Sequence, residues 1–272
     1  MIDNLFMKLS IITVNYNNLK GLKKTLESVI SQSVKDFEWI VIDGGSTDGS
    51  KDLLEEYTNQ ITYWVSEKDH GIYEAMNKGI KVAKGDYLQF LNSGDSLADA
   101  DIIKRFCDRN NTEDVIYGNA IIVDGNDQEV NRFHAPDFVR LSFFFSHALN
   151  HQATFFSKAC FKDYLYNEKN KIASDLELYM HLMYQGFSFA KWNEYVVRFE
   201  TGGLSTVDTG NSEFAGIVDR VLPAGIKADY KEMIQFRDVD LAIMIKKIIN
   251  SSRVIRYLAR IVLYPIYWLA KK

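Results

Sequence analysis

A chain of 272 residues with 47% apolar residues, 25% charged residues and only three prolines can build a sizeable core, which excludes a disordered or fibrous protein. All 36 acidic residues precede Leu241, whereas seven of the 32 basic residues (Lys246, Lys247, Arg253, Arg256, Arg260, Lys271, Lys272) follow it. An acidic body with a basic tail does not fit a nucleic-acid binder. Cys107 and Cys160 stand in no metal-ligand spacing and suit a reducing compartment, and no secretory signal is read before Leu9.

Leu9 to Tyr16 (LSIITVNY) is a nearly unbroken apolar, β-branched run, the pattern of a strand buried on both faces. A helix over Leu19–Ser31 follows, with Leu22, Leu26, Val29 and Ile30 inward. A second strand, Glu38–Ile42, empties into Asp43-Gly44-Gly45-Ser46-Thr47-Asp48, where Thr47 or Asp48 can cap the next helix, about Ser50–Asn59. A short strand over Ile61–Ser66 leads to a polar turn ending in Asp69, His70 and Gly71. The next helix repeats Ile72, Met76, Ile80 and Ala83 on one face, with Gly85 read as its C′ residue. A fourth strand, Tyr87–Leu91, ends in Asn92-Ser93-Gly94-Asp95. This alternation predicts a parallel sheet with right-handed crossovers. In such sheets ligands collect beyond the carboxyl ends of the strands, where Asp43 and Asp95 stand.

After Asp95 the expectations are a helix over Asp99–Asn110 and a hairpin joining Val115–Val123 to Glu129–His134 around Asp124-Gly125-Asn126. A strand over His151–Phe156 comes next. A helix over Ser174–Gln185 opens on a capping box of Ser174 and Glu177 and stops at Gly186. Phe187–Phe199 reads as a strand or hairpin, and the Gly/Ser/Thr-rich stretch Thr201–Asn211 as a lid. From Leu241 the chain has helical apolar periodicity, basic residues, aromatics and Pro265. Its longest uncharged apolar run, Ile261–Ala270, is far short of the ~20 residues that span a bilayer, so the segment reads as an amphipathic helix on an anionic membrane surface.

The series SIITVNYNN, VIDGGSTDGS, EKDHGIYEAMNKGIKVAKGDYLQFLNSGD, HQATFF and SDLELYMHLMYQG resembles, in order, the family 2 glycosyltransferases, over about Leu9–Ser205. The EKDHGIY and HQATFF variants look most like transferases of bacterial exopolysaccharide or capsule assembly, of the colanic-acid type. The resemblance implies an α/β fold of GT-A (Rossmann-like) type, a mostly parallel central sheet flanked by helices. The expected domains are 1–210 (a nucleotide-binding half to about 98 and an acceptor half beyond) and a helical extension, 211–272.

It implies an inverting transferase using a nucleotide-sugar donor, a UDP-sugar, with Mg2+ or Mn2+. The acceptor would be a saccharide, lipid-linked, at the cytoplasmic face of the cell membrane, where the tail makes the protein peripheral. By the same resemblance Asp95 is the metal acid, although Asn92 and Gly94 occupy positions where acids are common. Asp43 contacts the base, Asn15 and Tyr16 flank it, and Asp69 reaches the nucleoside. Asn77 matches a polar position of the family, and Met76 replaces a basic one. Asp175 is the general base, a residue that first-turn stabilisation by the helix dipole would also explain. His151 and Gln152 line the acceptor side, with Arg198 and Ser205 in a closing loop. Two other readings stay open: a binding scaffold whose catalysis is lost with the thinned signature, and a nucleotidyltransferase. The latter fits less well, because Asn15-Tyr16-Asn17-Asn18 has neither glycine nor cation for a triphosphate.

Overall fold

The computed structural model describes residues 9–145, 147–202 and 210–237. The chain divides into compact units at Val221/Leu222, so the helix Gly210–Val221 goes with the body.

Four strands form an all-parallel block of the sheet: β1 (Leu9–Asn15), β2 (Phe37–Asp43), β3 (Tyr63–Ser66) and β4 (Tyr87–Phe90), in the order β3-β2-β1-β4. Every residue of β1 is buried, as its unbroken apolar run requires of a central strand. Alternate side chains serve opposite faces. Ile11 belongs to a core cluster with Leu22, Leu26 and Val29 of helix α1 (Leu19–Ile30). Ile12 meets helix α3 (Ile72–Val82) at Gly79, where a Cβ would stand 2.5 Å from Ile12 Cγ2; only glycine lets the helix lie this close.

Between β2 and β3 lies α2 (Ser50–Glu56). Asp48 ties the starts of both flanking helices, accepting from Leu19 N (2.7 Å) and Ser50 N (3.1 Å), while Gly49 at φ 95° is the cap residue itself. Gly85 lies beyond the C-cap of α3, Ala83, and its N–H donates to Ser10 Oγ at 2.9 Å instead of closing the helix.

Past β4 the sheet becomes mixed. After β5 (Ser96–Leu97) and α4 (Ile102–Asp108) come β6 (Val115–Val123) and β7 (Glu129–Phe133), an antiparallel hairpin as expected. A 3-10 turn covers Leu141–Phe145; β8 is Thr154–Ser157, leaving His151 and Gln152 in the loop before it. Helix α5 covers Ser174–Tyr184, β9 covers Phe189–Glu200, α6 is Gly210–Val221, and α7 (Ala224–Arg237) lies in the second unit. β8 runs antiparallel between β4 and β6, and β9 runs parallel to β6 rather than folding as a hairpin.

The capping box expected at α5 is not formed. Ala173 is the N-cap and supplies no side-chain bond. Ser174 Oγ accepts from Asn167 N (2.6 Å), and Glu177 binds Arg220, Asn170 and Tyr164. The two N–H groups that a box would satisfy have other partners: Ser174 N donates to Tyr73 Oη (3.1 Å) and Glu177 N to Ala173 O (3.1 Å).

The lid residue Ser205 and the basic segment from Leu241 lie outside the described residues. Among the described residues no helix is long and apolar enough to cross a membrane.

Candidate active site

The chain steps from β1 outward to β2 and β3, then returns to place β4 on the other side of β1. That reversal splays the loops after β1 and β4 apart, the place where open α/β sheets hold ligands. A cleft of about 1130 Å³ opens there, and its lining includes Asn15, Tyr16, Asp69, Asn92 and Asp95 together with His151, Gln152, Lys171 and Asp175.

Asn15 knits three strand ends together. Its Nδ2 donates to Asp43 Oδ1 (2.7 Å), and its Oδ1 accepts from Ser93 Oγ (2.7 Å). Asp43 also accepts from Ser46 N (2.9 Å), Ser46 Oγ (2.5 Å) and Ser66 Oγ (2.6 Å). Burial pushes its carboxyl up, but the bonds from Ser46, Ser66 and Asn15 outweigh it and hold the group below its ordinary value. Asp43 is wholly buried beneath the cleft surface, which Gly44 and Gly45 form. A Cβ on Gly44 would lie 2.7 Å from Asp69 Oδ2, so the bare backbone lets the Asp69 carboxylate settle over it. Asp69 accepts from Gly71 N (3.1 Å), and burial raises its pKa. Tyr16, 67% exposed, stands at the rim.

Asp95 is 4% exposed. Its Oδ1 accepts from Glu200 N (2.9 Å), which ties the end of β9 to the loop after β4. Burial pushes Asp95 up to about 7, against the Glu200 N–H bond and the charge of Lys24. Thr25 of α1 braces the same loop, its Oγ1 2.6 Å from Asp95 O and accepting from Gly94 N at 3.1 Å. Asn92 Oδ1 is buried without a hydrogen-bond partner. A carboxylate that is costly to ionise alone and an orphaned amide oxygen are all-oxygen donors suited to a hard divalent cation. Among the described residues no three His, Cys, Asp or Glu side chains cluster to hold a metal, so these donors fit an ion that draws its remaining ligands from phosphate and water.

Asp175, in the first turn of α5, lines the same cleft. Tyrosines surround it: Tyr73 of α3 donates to Ile172 O and accepts from Ser174 N (3.1 Å), beside the carboxyl. Burial pushes Asp175 up to about 6, with the Leu176 N–H bond and Tyr73 acting downward and the charge of Glu213 upward. A midpoint near 6 leaves it mostly ionised at neutral pH yet more basic than an exposed aspartate, as suits a general base.

His151 lines the cleft floor, but its Nε2 is 2.6 Å from Tyr166 Oη and its ring stacks on Phe90. Burial lowers its pKa to about 3, so it acts only as a neutral ring. Gln152 lines the cleft and receives the Gln89 amide at its carbonyl (3.0 Å).

Two expected residues are used elsewhere. Asn77 is not a cleft residue: it clamps the backbone of Tyr166 through Nδ2 to O (2.9 Å) and N to Oδ1 (3.0 Å), and its Nδ2 also donates to Glu168 (2.9 Å). Arg198 binds Asp127 in the β6–β7 turn (2.7 Å to O, 3.1 Å to Oδ2), while its neighbours Phe199 and Glu200 line the cleft. Glu200, Lys68, Lys171, Thr25 and Tyr73 are site residues that sequence reasoning did not single out.

The profile described as Glycosyl transferase family 2 matches residues 10–168, more than half of the chain. The chain belongs to glycosyl transferase family 2. An uncharacterized glycosyltransferase of Mycobacterium tuberculosis is 44% identical over 95 residues, 35% of this chain; the match spans about a third (36%) of that relative's own length. A PGL/p-HBAD biosynthesis glycosyltransferase of Mycobacterium bovis is 30% identical over 216 residues, 72% of this chain and 78% of the relative. Two solved structures share the fold of this family 2 chain. S. aureus TarS 1-349 in complex with UDP-GlcNAc superposes with a TM-score of 0.63 at 20% identity, over 82% of this chain and 70% of that one. The Pyrobaculum calidifontis mannosyltransferase PcManGT in complex with GDP-Man and Mn2+ gives 0.55 at 13% identity, over 97% and 80%. The expected GT-A-like architecture, helices on a largely parallel sheet, is the one found.

Proposed function

We propose that this family 2 member is an inverting glycosyltransferase that moves a sugar from a UDP-sugar to a saccharide acceptor. One observation carries the reading: Asp95 and Asp175, from the loop after β4 and the first turn of α5, line a single cleft, and burial pushes both carboxyls upward. Paired carboxyls of this kind suit one group for charge stabilisation and the other for proton transfer.

Asp43 and Asn15 fix the floor on which the nucleoside rests, and Tyr16 at the rim offers a ring face to the base. Asp69, set over Gly44, accepts hydrogen bonds from the nucleoside. Asp95 and Asn92 are the residues that would hold Mg2+ or Mn2+; the ion supplies Lewis-acid neutralisation of charge on the leaving diphosphate. Lys68 and Lys171 at the cleft wall add positive charge, although Met76 stands where family members often carry a base. Asp175 accepts the proton of the acceptor hydroxyl as that oxygen attacks the anomeric carbon, and Tyr73 braces the backbone that carries it, at Ile172 O and Ser174 N. The presence of UDP-GlcNAc in the TarS complex and of Mn2+ in the PcManGT complex supports the donor class and the ion.

For the acceptor, the acid-free basic and aromatic tail supports a lipid-linked saccharide reached at the inner membrane face, in bacterial surface polysaccharide synthesis. The test is a panel of sugar nucleotides with Mn2+, read by thermal shift and nucleotide release. One or more UDP-sugars should stabilise the protein and be slowly hydrolysed. Stabilisation without hydrolysis in any member would support a binding scaffold instead.

A further inference from the structure

The backbone just ahead of α5 carries three successive N–H groups that its own sequence leaves uncapped. One carboxylate from α6 takes all three: Glu213 Oε1 accepts from Lys171 N (2.7 Å), and Oε2 accepts from Ile172 N (3.1 Å) and Ala173 N (3.0 Å). Such charge-assisted bonds are about twice as strong as neutral ones. Seven residues further along α6, two turns away and so on the same side, Arg220 pairs with Glu177 of α5 at 2.7 and 3.1 Å. Glu177 is 2% exposed and also receives Asn170 and Tyr164, so this second tie is buried on its carboxylate side, while Arg220 is 45% exposed. Helix α6 is thus fastened at both ends to the segment carrying Lys171 and Asp175, both of which line the cleft.

We infer that Glu213 is a positioning residue for Asp175, serving as a tertiary cap that sets where the base stands. The inference rests on the base role proposed above for Asp175. The groups facing Asp175 are Tyr73 from α3, Tyr166 from the loop before α5, Tyr179 from α5 and Glu213 from α6, with Lys171 on its own loop. Burial raises all three tyrosines, so they stay neutral, and Glu213 is the negative charge acting on Asp175. Glu213 therefore does two things: it holds the loop, and it favours the protonated form of its neighbour. A merely structural cap would do only the first.

The test uses the full chain. The Asp175 carboxyl is titrated by 13C NMR, assigned by its loss in Asp175→Asn. Amide exchange is read at Lys171, Ile172 and Ala173, and UDP release is measured with UDP-GlcNAc and Mn2+ as probes. Glu213→Gln keeps an acceptor but removes the charge, so the Asp175 midpoint should fall by about 0.5 on the pH scale. Glu213→Ala should speed exchange at the three amides at least about tenfold and lower UDP release on the order of tenfold, with UDP affinity falling by less than turnover. A folded Glu213→Ala protein with wild-type exchange and an unmoved Asp175 midpoint would overturn the inference. If Glu213→Ala does not fold, the same two readings on Glu213→Gln decide. Retained turnover in Asp175→Asn would remove the base role alone, leaving exchange and titration to judge Glu213.

Discussion

Replacing Asp95 by Asn should make the nucleotide-free protein more stable at alkaline pH while destroying its response to metal. Folding raises this carboxyl from 3.8 to about 7, so the folded state holds the proton more tightly than the unfolded chain. The stabilising contribution is fully present below pH 3.8, declines as pH rises, and is lost above about 7. Each pH unit corresponds to about 1.4 kcal/mol, so ionised Asp95 costs the fold up to about 4 kcal/mol at pH 8. Asn has the same shape and no charge. Its carbonyl can keep the Glu200 N–H bond. At about 2–4 °C per kcal/mol, the melting midpoint should rise by up to roughly 8–16 °C at pH 8 and change little at pH 4. Calorimetry in EDTA at both pH values is the assay. Mn2+ with UDP should then raise the wild-type midpoint and leave the variant's unchanged. An Asp95→Asn protein equally destabilised at both pH values would refute the reasoning, because the penalty assigned to the buried charge would not exist.

The pH dependence of kcat/KM should show an acid limb near 6, rising as Asp175 loses its proton; a flat profile between pH 5 and 7 would contradict that assignment. Gly44→Ala places a Cβ 2.7 Å from the Asp69 carboxylate and should weaken UDP binding about tenfold in titration calorimetry, with the melting midpoint falling only slightly. Truncation after Asp240 should abolish sedimentation with anionic vesicles while UDP still binds; unchanged sedimentation would remove the membrane role of the tail.

The strand tips were legible in the sequence because β1, β2 and β4 are apolar runs buried on both faces, each ending in polar residues. Their order follows from short crossovers, which place Asn15, Asp43 and Asp95 at one edge. The remainder was decided by distant partners that no local pattern carries. Asn77 looks like a site residue until Tyr166, 89 positions away, is seen to occupy it. Arg198 is similarly taken by Asp127, 71 positions away. The capping box at Ser174 and Glu177 has the right local spelling, but Asn167 N takes the Ser174 hydroxyl and Arg220 of α6 takes Glu177. Glu200 reaches Asp95 across 105 positions through a backbone N–H, a bond that any residue type could make and that leaves no sequence signal. β9 read as a strand or hairpin because its pairing with β6 is parallel and long-range, and periodicity does not encode the choice of partner.

The most direct test of the proposed chemistry compares UDP-sugar turnover by the wild-type protein and by Asp175→Asn, in Mn2+, with UDP binding measured on the same samples. Loss of turnover by about 10²-fold or more with UDP affinity retained is the expected result. Turnover at the wild-type rate in Asp175→Asn would show that the proton is taken elsewhere and would contradict the two-carboxylate site.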